Sequence, residues 1–245
     1  MSKRYSNKGY NARNAAALQP KKDNSTLIIT LITVGIGLAI VAAVVLAIMY
    51  ASGAFATKVD MEEVKSEINS FEVTDFAETA DVTDYVKITV KDYGEIVIRL
   101  RPDVAPDSVE NFQNLVKNGH YTGKTFHRII QNFMIQGGAY DLAGAQKDTA
   151  TVKGEFASNG FVNNLLHVRG VISMARQNGK PDSGSCQFFI CDATSSHLDG
   201  EYASFGYVLA GMDTVDKIAA VKTNDDDTPT TSIQIEKVTF VDPLK

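Results

Sequence analysis

This 245-residue sequence predicts a mainly β fold, a closed antiparallel barrel of about eight short strands capped by two helices and preceded by one transmembrane helix. Three observations carry that prediction. Between Asp23 and Lys58 there is no charged side chain, and the middle of the gap is built almost wholly from Leu, Ile, Val, Ala and Gly. From residue 85 onward, short alternating runs recur between Gly- and Asn-rich loops, with only two amphipathic helical stretches among them. The chain has only 2 cysteines, so this large region needs an apolar core rather than disulfide staples.

Charge organises the N-terminal part. The net charge of −5 sums two unlike pieces: Lys3, Arg4, Lys8, Arg13, Lys21 and Lys22 oppose a single Asp23 in residues 1–26, and the remainder is strongly acidic. Residues 27–50 are long enough for an uncleaved span, which needs about 20 residues, whereas the apolar core of a secretory signal has about 7 to 15. Basic residues before the span and Asp60, Glu62, Glu63 and Glu67 after it predict a cytoplasmic tail over 1–26 and a domain on the outer side of the cell membrane. Ala54-Phe55-Ala56 before Thr57 is a small-residue pattern that a signal peptidase accepts, so release of the domain is the alternative to a retained anchor. Residues 51–84 are expected to form an acidic stalk, helical or disordered. The acidic outer region argues against nucleic acid as a partner, because phosphate binding needs clustered Lys and Arg.

The domain is expected over 85–245. Alternation over 85–90 and 95–100 across Asp92-Tyr93-Gly94 predicts a hairpin. A helix follows, with Pro106 in its first turn, Asp107 and Glu110 favouring its N-terminal dipole, Val109, Phe112, Leu115 and Val116 on one face, and Gly119 as its stop. Further strands are predicted over 125–130, 133–136, 170–175, 187–190 and 203–209, a second helix over 212–221, and a last strand over 232–240. Cys186 and Cys191 flank one apolar run at an odd separation, which places them on opposite faces roughly 16 Å apart, beyond disulfide reach. Both are expected as buried thiols.

The chemistry concentrates in Phe126-His127-Arg128-Ile129-Ile130-Gln131-Asn132-Phe133-Met134-Ile135-Gln136-Gly137-Gly138. On a strand, Phe126, Arg128 and Ile130 share a face, which sets a permanently charged guanidinium among large apolar groups. Gln136 adds an amide beside Phe133 and Met134, and the two glycines let backbones approach closely. Such a surface is either a pocket for a small apolar group beside a carbonyl or a structural arginine with its stem on the core. Elsewhere the signals are weak. His120, His127, His167 and His197 lack metal-site spacing, Asp225-Asp226-Asp227 reads as a solvated turn, and no Gly-x-Ser-x-Gly elbow surrounds Ser183 or Ser185.

That run, with Gly170-Val171-Ile172-Ser173-Met174-Ala175, Gln187-Phe188-Phe189-Ile190, Leu198-Asp199-Gly200 and Phe205-Gly206, resembles the cyclophilin family of peptidyl-prolyl cis-trans isomerases over most of 85–242. Gly154-Glu155-Phe156 and Ser158-Asn159-Gly160-Phe161, leading into His167, are most similar to bacterial members. The resemblance implies an isomerase that turns X-Pro bonds and assists protein folding, with no cofactor and no metal. It also implies Arg128 as the catalytic arginine and Phe133, Met134, Phe189 and Leu198 around the proline ring. Gln136 and the backbone at Ala175 and Arg176 would hold the substrate chain, His127 would lie at the rim, Tyr202 would stand where well-known eukaryotic members carry histidine, and Gln187 would support Arg128. His197 stands where those members carry tryptophan, which implies weak cyclosporin binding. The expected partners are proline-containing polypeptides and the membrane, and the barrel is expected to be monomeric. A tethered proline-peptide binding module or chaperone with incidental turnover is the alternative function.

Overall fold

The computed structural model describes residues 58–147 and 149–244. The span expected over 27–50 and the basic tail lie outside the described residues, and no helix among the described residues is long and apolar enough to cross a membrane.

Nine strands form one antiparallel sheet among the described residues. They are β1 (Phe76–Thr79), β2 (Tyr85–Val90), β3 (Gly94–Leu100), β4 (Lys124–Ile130), β5 (Met134–Asp141), β6 (Val171–Met174), β7 (Phe188–Cys191), β8 (Ser204–Ala210) and β9 (Ile233–Pro243). The order is β1-β9-β2-β3-β8-β6-β7-β5-β4, and β4 pairs back onto β9, so β2 to β9 close a ring of eight while β1 is added outside it. Closure removes the free edges that an open sheet exposes. The ring's last contact is short: Thr125 and Phe126 pair with Gln234 and Ile233.

The expected hairpin is present, with Val90 opposite Gly94 and Tyr85 opposite Arg99. Among the described residues, three α-helices accompany the sheet: α1 (Met61–Glu67), α2 (Pro106–Lys117) and α3 (Met212–Ala219). The apolar sides of α2 and α3 supply Val109, Phe112, Val116, Met212, Val215 and Ile218 to the barrel interior, which also holds Ile88, Ile98, Phe126, Phe188 and Phe205. Burial of each such side chain stabilises the fold by about 1.5–3 kcal/mol before conformational entropy is set against it. The buried carboxylate of Glu155 accepts hydrogen bonds from the first-turn N–H groups of Asp107 and Ser108 at 3.0 and 2.8 Å, satisfying two donors that the helix geometry of α2 leaves unpaired.

The acidic segment expected as a stalk is, in its described part, a strap on the barrel. Val59, Val64 and Phe76 bury themselves against Val97, Val171, Leu209 and Val241. Strand β1 runs antiparallel to β9, Phe76 opposite Pro243. The Glu67 carboxylate accepts from Arg99 Nη1 at 2.8 Å and from the Tyr207 hydroxyl at 2.5 Å. A few apolar residues and one carboxylate thus dock a segment whose composition alone reads as solvated.

Candidate active site

One face of the β4-β5-β7 wall carries the site. Cross-strand register puts Arg128 opposite Gln136 and Gln136 opposite Phe189, and directly opposed residues point to the same side of a sheet. Met134, Phe189, Cys191 and Leu198 form a buried apolar cluster here, with Ile130, Phe133, Ala175 and Tyr202 packed against it. Together these elements enclose a pocket of ≈ 120 Å³ lined by Arg128, Phe133, Met134, Gln136, Ala175, Arg176, Phe189, Leu198 and Tyr202.

A β-bulge corrects the expected face pattern of β4. Phe126 pairs with Gly137 and Arg128 with Gln136, so two steps along β4 match one along β5 and His127 is the extra residue. Phe126 is therefore fully buried in the interior instead of sharing a face with Arg128 and Ile130. Gly137 makes room for the bulge, since a Cβ there would come within 2.9 Å of the Thr125 carbonyl oxygen. At Gly138, φ is +102°, a region that side-chain-bearing residues avoid.

His127 sits on the bulge beside the site. As the unpaired residue of the bulge it leaves the Arg128 row, and its ring packs edge-on against Tyr140 at 4.7 Å. It lines a second cavity with Tyr140, Leu142 and Pro229, and its ring also lies beside Gln187, the amide that Gln136 donates to. Burial lowers its pKa below the ordinary histidine value.

Arg128 is held from two sides. Its Nε–H donates to Asp227 Oδ2 at 3.2 Å, and Nη2 lies 3.2 Å from the same oxygen. Nη1 donates to Gln136 Oε1 at 3.5 Å, the outer limit of a hydrogen bond. Gln136 Nε2 in turn donates to Gln187 Oε1 at 2.9 Å. Gln187 therefore supports the arginine through Gln136 and not directly. Asp227 is the residue that sequence reasoning missed, having read the triple aspartate as a solvated turn. Asp225 and Asp226 are exposed, whereas Asp227 turns back to the strand.

The remaining walls have identifiable supports. Tyr202 meets Phe189 edge-to-face at 5.8 Å, and His197 packs on Phe133 at 5.3 Å. Behind Phe189, the His167 ring stacks at 6.1 Å. His167 Nδ1 lies 3.0 Å from Asp199 Oδ1 and Nε2 lies 3.0 Å from Ser173 Oγ. Proton placement on Nδ1 lets a neutral ring donate to the carboxylate and accept from the hydroxyl. Burial lowers its pKa, outweighing the raising effect of Asp199. Arg176 lies over the Tyr202 ring at 4.5 Å and the Phe156 ring at 5.2 Å, with its Nε–H donating to the Glu201 carbonyl at 2.9 Å. Cys191, a member of that cluster, is a buried free thiol whose pKa burial raises to about 12, which keeps it protonated and unreactive.

The profile of the family described as "Cyclophilin type peptidyl-prolyl cis-trans isomerase/CLD" matches residues 85–240, the span of the closed ring. A peptidyl-prolyl cis-trans isomerase of Acinetobacter baylyi is 46% identical over 136 residues, covering 54% of this chain and 70% of that protein. A peptidyl-prolyl cis-trans isomerase-like 1 protein of Gibberella zeae is 36% identical over 150 residues, covering 61% of this chain and 90% of its own. The crystal structure of a Cryptosporidium parvum cyclophilin type isomerase, determined in the presence of the dipeptide Ala-Pro, superposes with a TM-score of 0.55 at 27% identity, covering 63% of this chain and 97% of that one. With the eight-stranded ring and this family match in agreement, the chain belongs to the cyclophilin-type peptidyl-prolyl cis-trans isomerases.

Proposed function

We propose that this chain is a membrane-tethered isomerase that rotates X-Pro bonds of polypeptides on the outer side of the cell membrane and so assists their folding. The observation that carries the catalytic part is the guanidinium of Arg128 on the wall of an apolar pocket that also contains Phe133, Met134, Phe189 and Leu198. Rotation about a peptide bond faces a barrier of about 18–20 kcal/mol because the nitrogen lone pair is delocalised into the carbonyl. As the bond twists, the lone pair localises on nitrogen. A donor aimed at that nitrogen binds the twisted state better than either planar state, which is what lowers the barrier. Arg128 is that donor. The apolar walls grip the proline ring and exclude water, which strengthens the donor's effect. Gln136 and the backbone at Ala175 and Arg176 hold the chain on either side, Tyr202 closes the wall beside Phe189, and no covalent step or metal is required.

Support for the tether is the charge-free apolar stretch at 27–50, long enough to cross a bilayer, between a basic head and an acidic continuation. The mass of the mature N-terminus tests it directly: retention of residue 1 or 2 supports an anchor, and a chain beginning at Thr57 supports release.

Catalysis is tested by NMR cis/trans exchange of a short Ala-Pro peptide with the full chain and with Arg128→Ala. Faster exchange with the wild type and near-background exchange with the variant support the reading. Equal, slow exchange with both, while the peptide still binds, would leave a proline-peptide binding module instead.

A further inference from the structure

We propose that Asp227 is a positioning residue for the isomerisation, holding the Arg128 guanidinium at the pocket. The inference rests on the reading of Arg128 as the donor. A guanidinium has five N–H bonds. Asp227 Oδ2 accepts from Nε and sits beside Nη2, and Gln136 accepts from Nη1. Among the described residues, the other N–H bonds of Nη1 and Nη2 have no hydrogen-bond partner, and they remain available to substrate.

The loop that carries Asp227 is built for this. Asn224 Oδ1 accepts from the backbone N–H groups of Asp226 and Thr228 at 3.0 and 2.9 Å. The Asn224 N–H donates to the Thr228 carbonyl at 2.9 Å, and the Asp227 N–H donates to the Asn224 carbonyl at 3.1 Å. The Asp227 carbonyl accepts from Ile129 N–H at 2.8 Å, which fixes the loop to the residue next to Arg128. Asp227 itself has φ of +60°, a left-handed conformation that Asp, Asn and Gly enter with least cost.

Two effects of the carboxylate oppose each other. It fixes the donor, and it also offsets part of the positive charge that stabilises the twisted bond. The side chains of Arg128 and Asp227 are 41% and 40% exposed, so water screens the charge offset. Misplacement of a catalytic group by about 1 Å costs on the order of 100-fold in rate. Positioning therefore wins, and removing the carboxylate lowers turnover.

The test uses the full chain with Asp227→Asn and Asp227→Gly, both compatible with the left-handed backbone, together with Asp227→Glu and Asp226→Asn. Exchange kinetics give kcat and KM, and the Arg128 Nε–H resonance reports the pair without substrate. The expected result is a fall in kcat of about tenfold with KM within about twofold, a shifted and broadened Nε–H signal, partial recovery with Asp227→Glu, and no change with Asp226→Asn. Unchanged or raised kcat in both Asp227→Asn and Asp227→Gly, against an active wild type, would overturn the role of Asp227 alone. An inactive wild type would overturn the isomerase reading and this inference with it.

Discussion

Arg99 and Arg128 both stand on barrel strands at similar exposure, 35% and 41%, yet their surroundings differ in kind. Arg99 faces the N-terminal strap, where Glu67 takes its Nη1 at 2.8 Å and the same carboxylate binds the Tyr207 hydroxyl. Arg99 Nη1 also donates to the Tyr207 hydroxyl at 3.2 Å, so both contacts go to groups that dock one element on another. Arg128 is held at 3.2 and 3.5 Å by a loop aspartate and an amide, and it borders an open apolar pocket. Both arginines commit only some of their five N–H bonds within the fold. What separates them is where the remaining donors lie, beside the docked strap for Arg99 and on the wall of a pocket for Arg128.

The largest expected effect separates the two by function. Arg128→Ala is expected to lower kcat/KM by about 100-fold, the scale of losing one preorganised donor, with no more than about 0.5 kcal/mol change in stability, as for an exposed substitution. Peptide exchange and urea unfolding on the same sample check both parts. Glu67→Ala is expected to do the reverse, costing about 1–2 kcal/mol through unpaired Arg99 and Tyr207, with exchange unchanged. A loss of activity there that exceeds the loss of folded protein would show that the strap reaches the site.

Much of this was legible in the sequence because it is local. The 85–100 hairpin, the helix beginning at Pro106 and the strand over 125–130 follow from alternation, capping and turn chemistry, and they match β2, β3, α2 and β4 to within a residue or two. The lining of the pocket was legible through family resemblance, since the pocket joins residues from 128 to 202 that no periodicity connects. What escaped depends on tertiary packing. The β4 bulge is decided by the fit of Phe126 against Gly137 across the strand pair, so simple alternation gave Phe126 the wrong face. Helix α1 has 7 residues and β1 has 4, each too short to hold by itself, and they exist because Val64 and Phe76 find a wall. Asp227 lies 99 positions from Arg128 among two other aspartates. The one local hint was Asn224, with Thr228-Pro229 after it, a pattern suited to an ordered turn.

Smaller effects sharpen the contrast on the pocket side. His197 rests on Phe133 where a tryptophan would offer more aromatic area. Cyclosporin is expected to bind more weakly than nanomolar, and His197→Trp to tighten it by about tenfold, the scale of one added aromatic contact. Calorimetric titration of both proteins decides this. Nanomolar affinity in the wild type would contradict the expectation.

The smallest effect concerns pH. His120, His127 and His167 all have pKa values lowered from 6.5, chiefly by burial. The unfolded chain therefore binds more protons than the folded one below about pH 6.5, and stability that is present at neutral pH is lost as pH falls toward the depressed folded values. Thermal unfolding between pH 7.5 and 5 is expected to show a falling midpoint, with a shallower slope in His167→Gln. An unchanged slope would mean that His167 does not contribute to the acid sensitivity.

The central claim, that the guanidinium at the pocket and not the one at the strap turns the X-Pro bond, is tested most directly by exchange spectroscopy of one Ala-Pro peptide with Arg128→Lys and Arg99→Lys at equal concentrations of folded protein. Lysine keeps the charge and loses the planar fork. The expected result is a fall of at least about tenfold in catalysed exchange for Arg128→Lys and wild-type exchange for Arg99→Lys. Wild-type exchange with Arg128→Lys, or an equal fall with both, would contradict it.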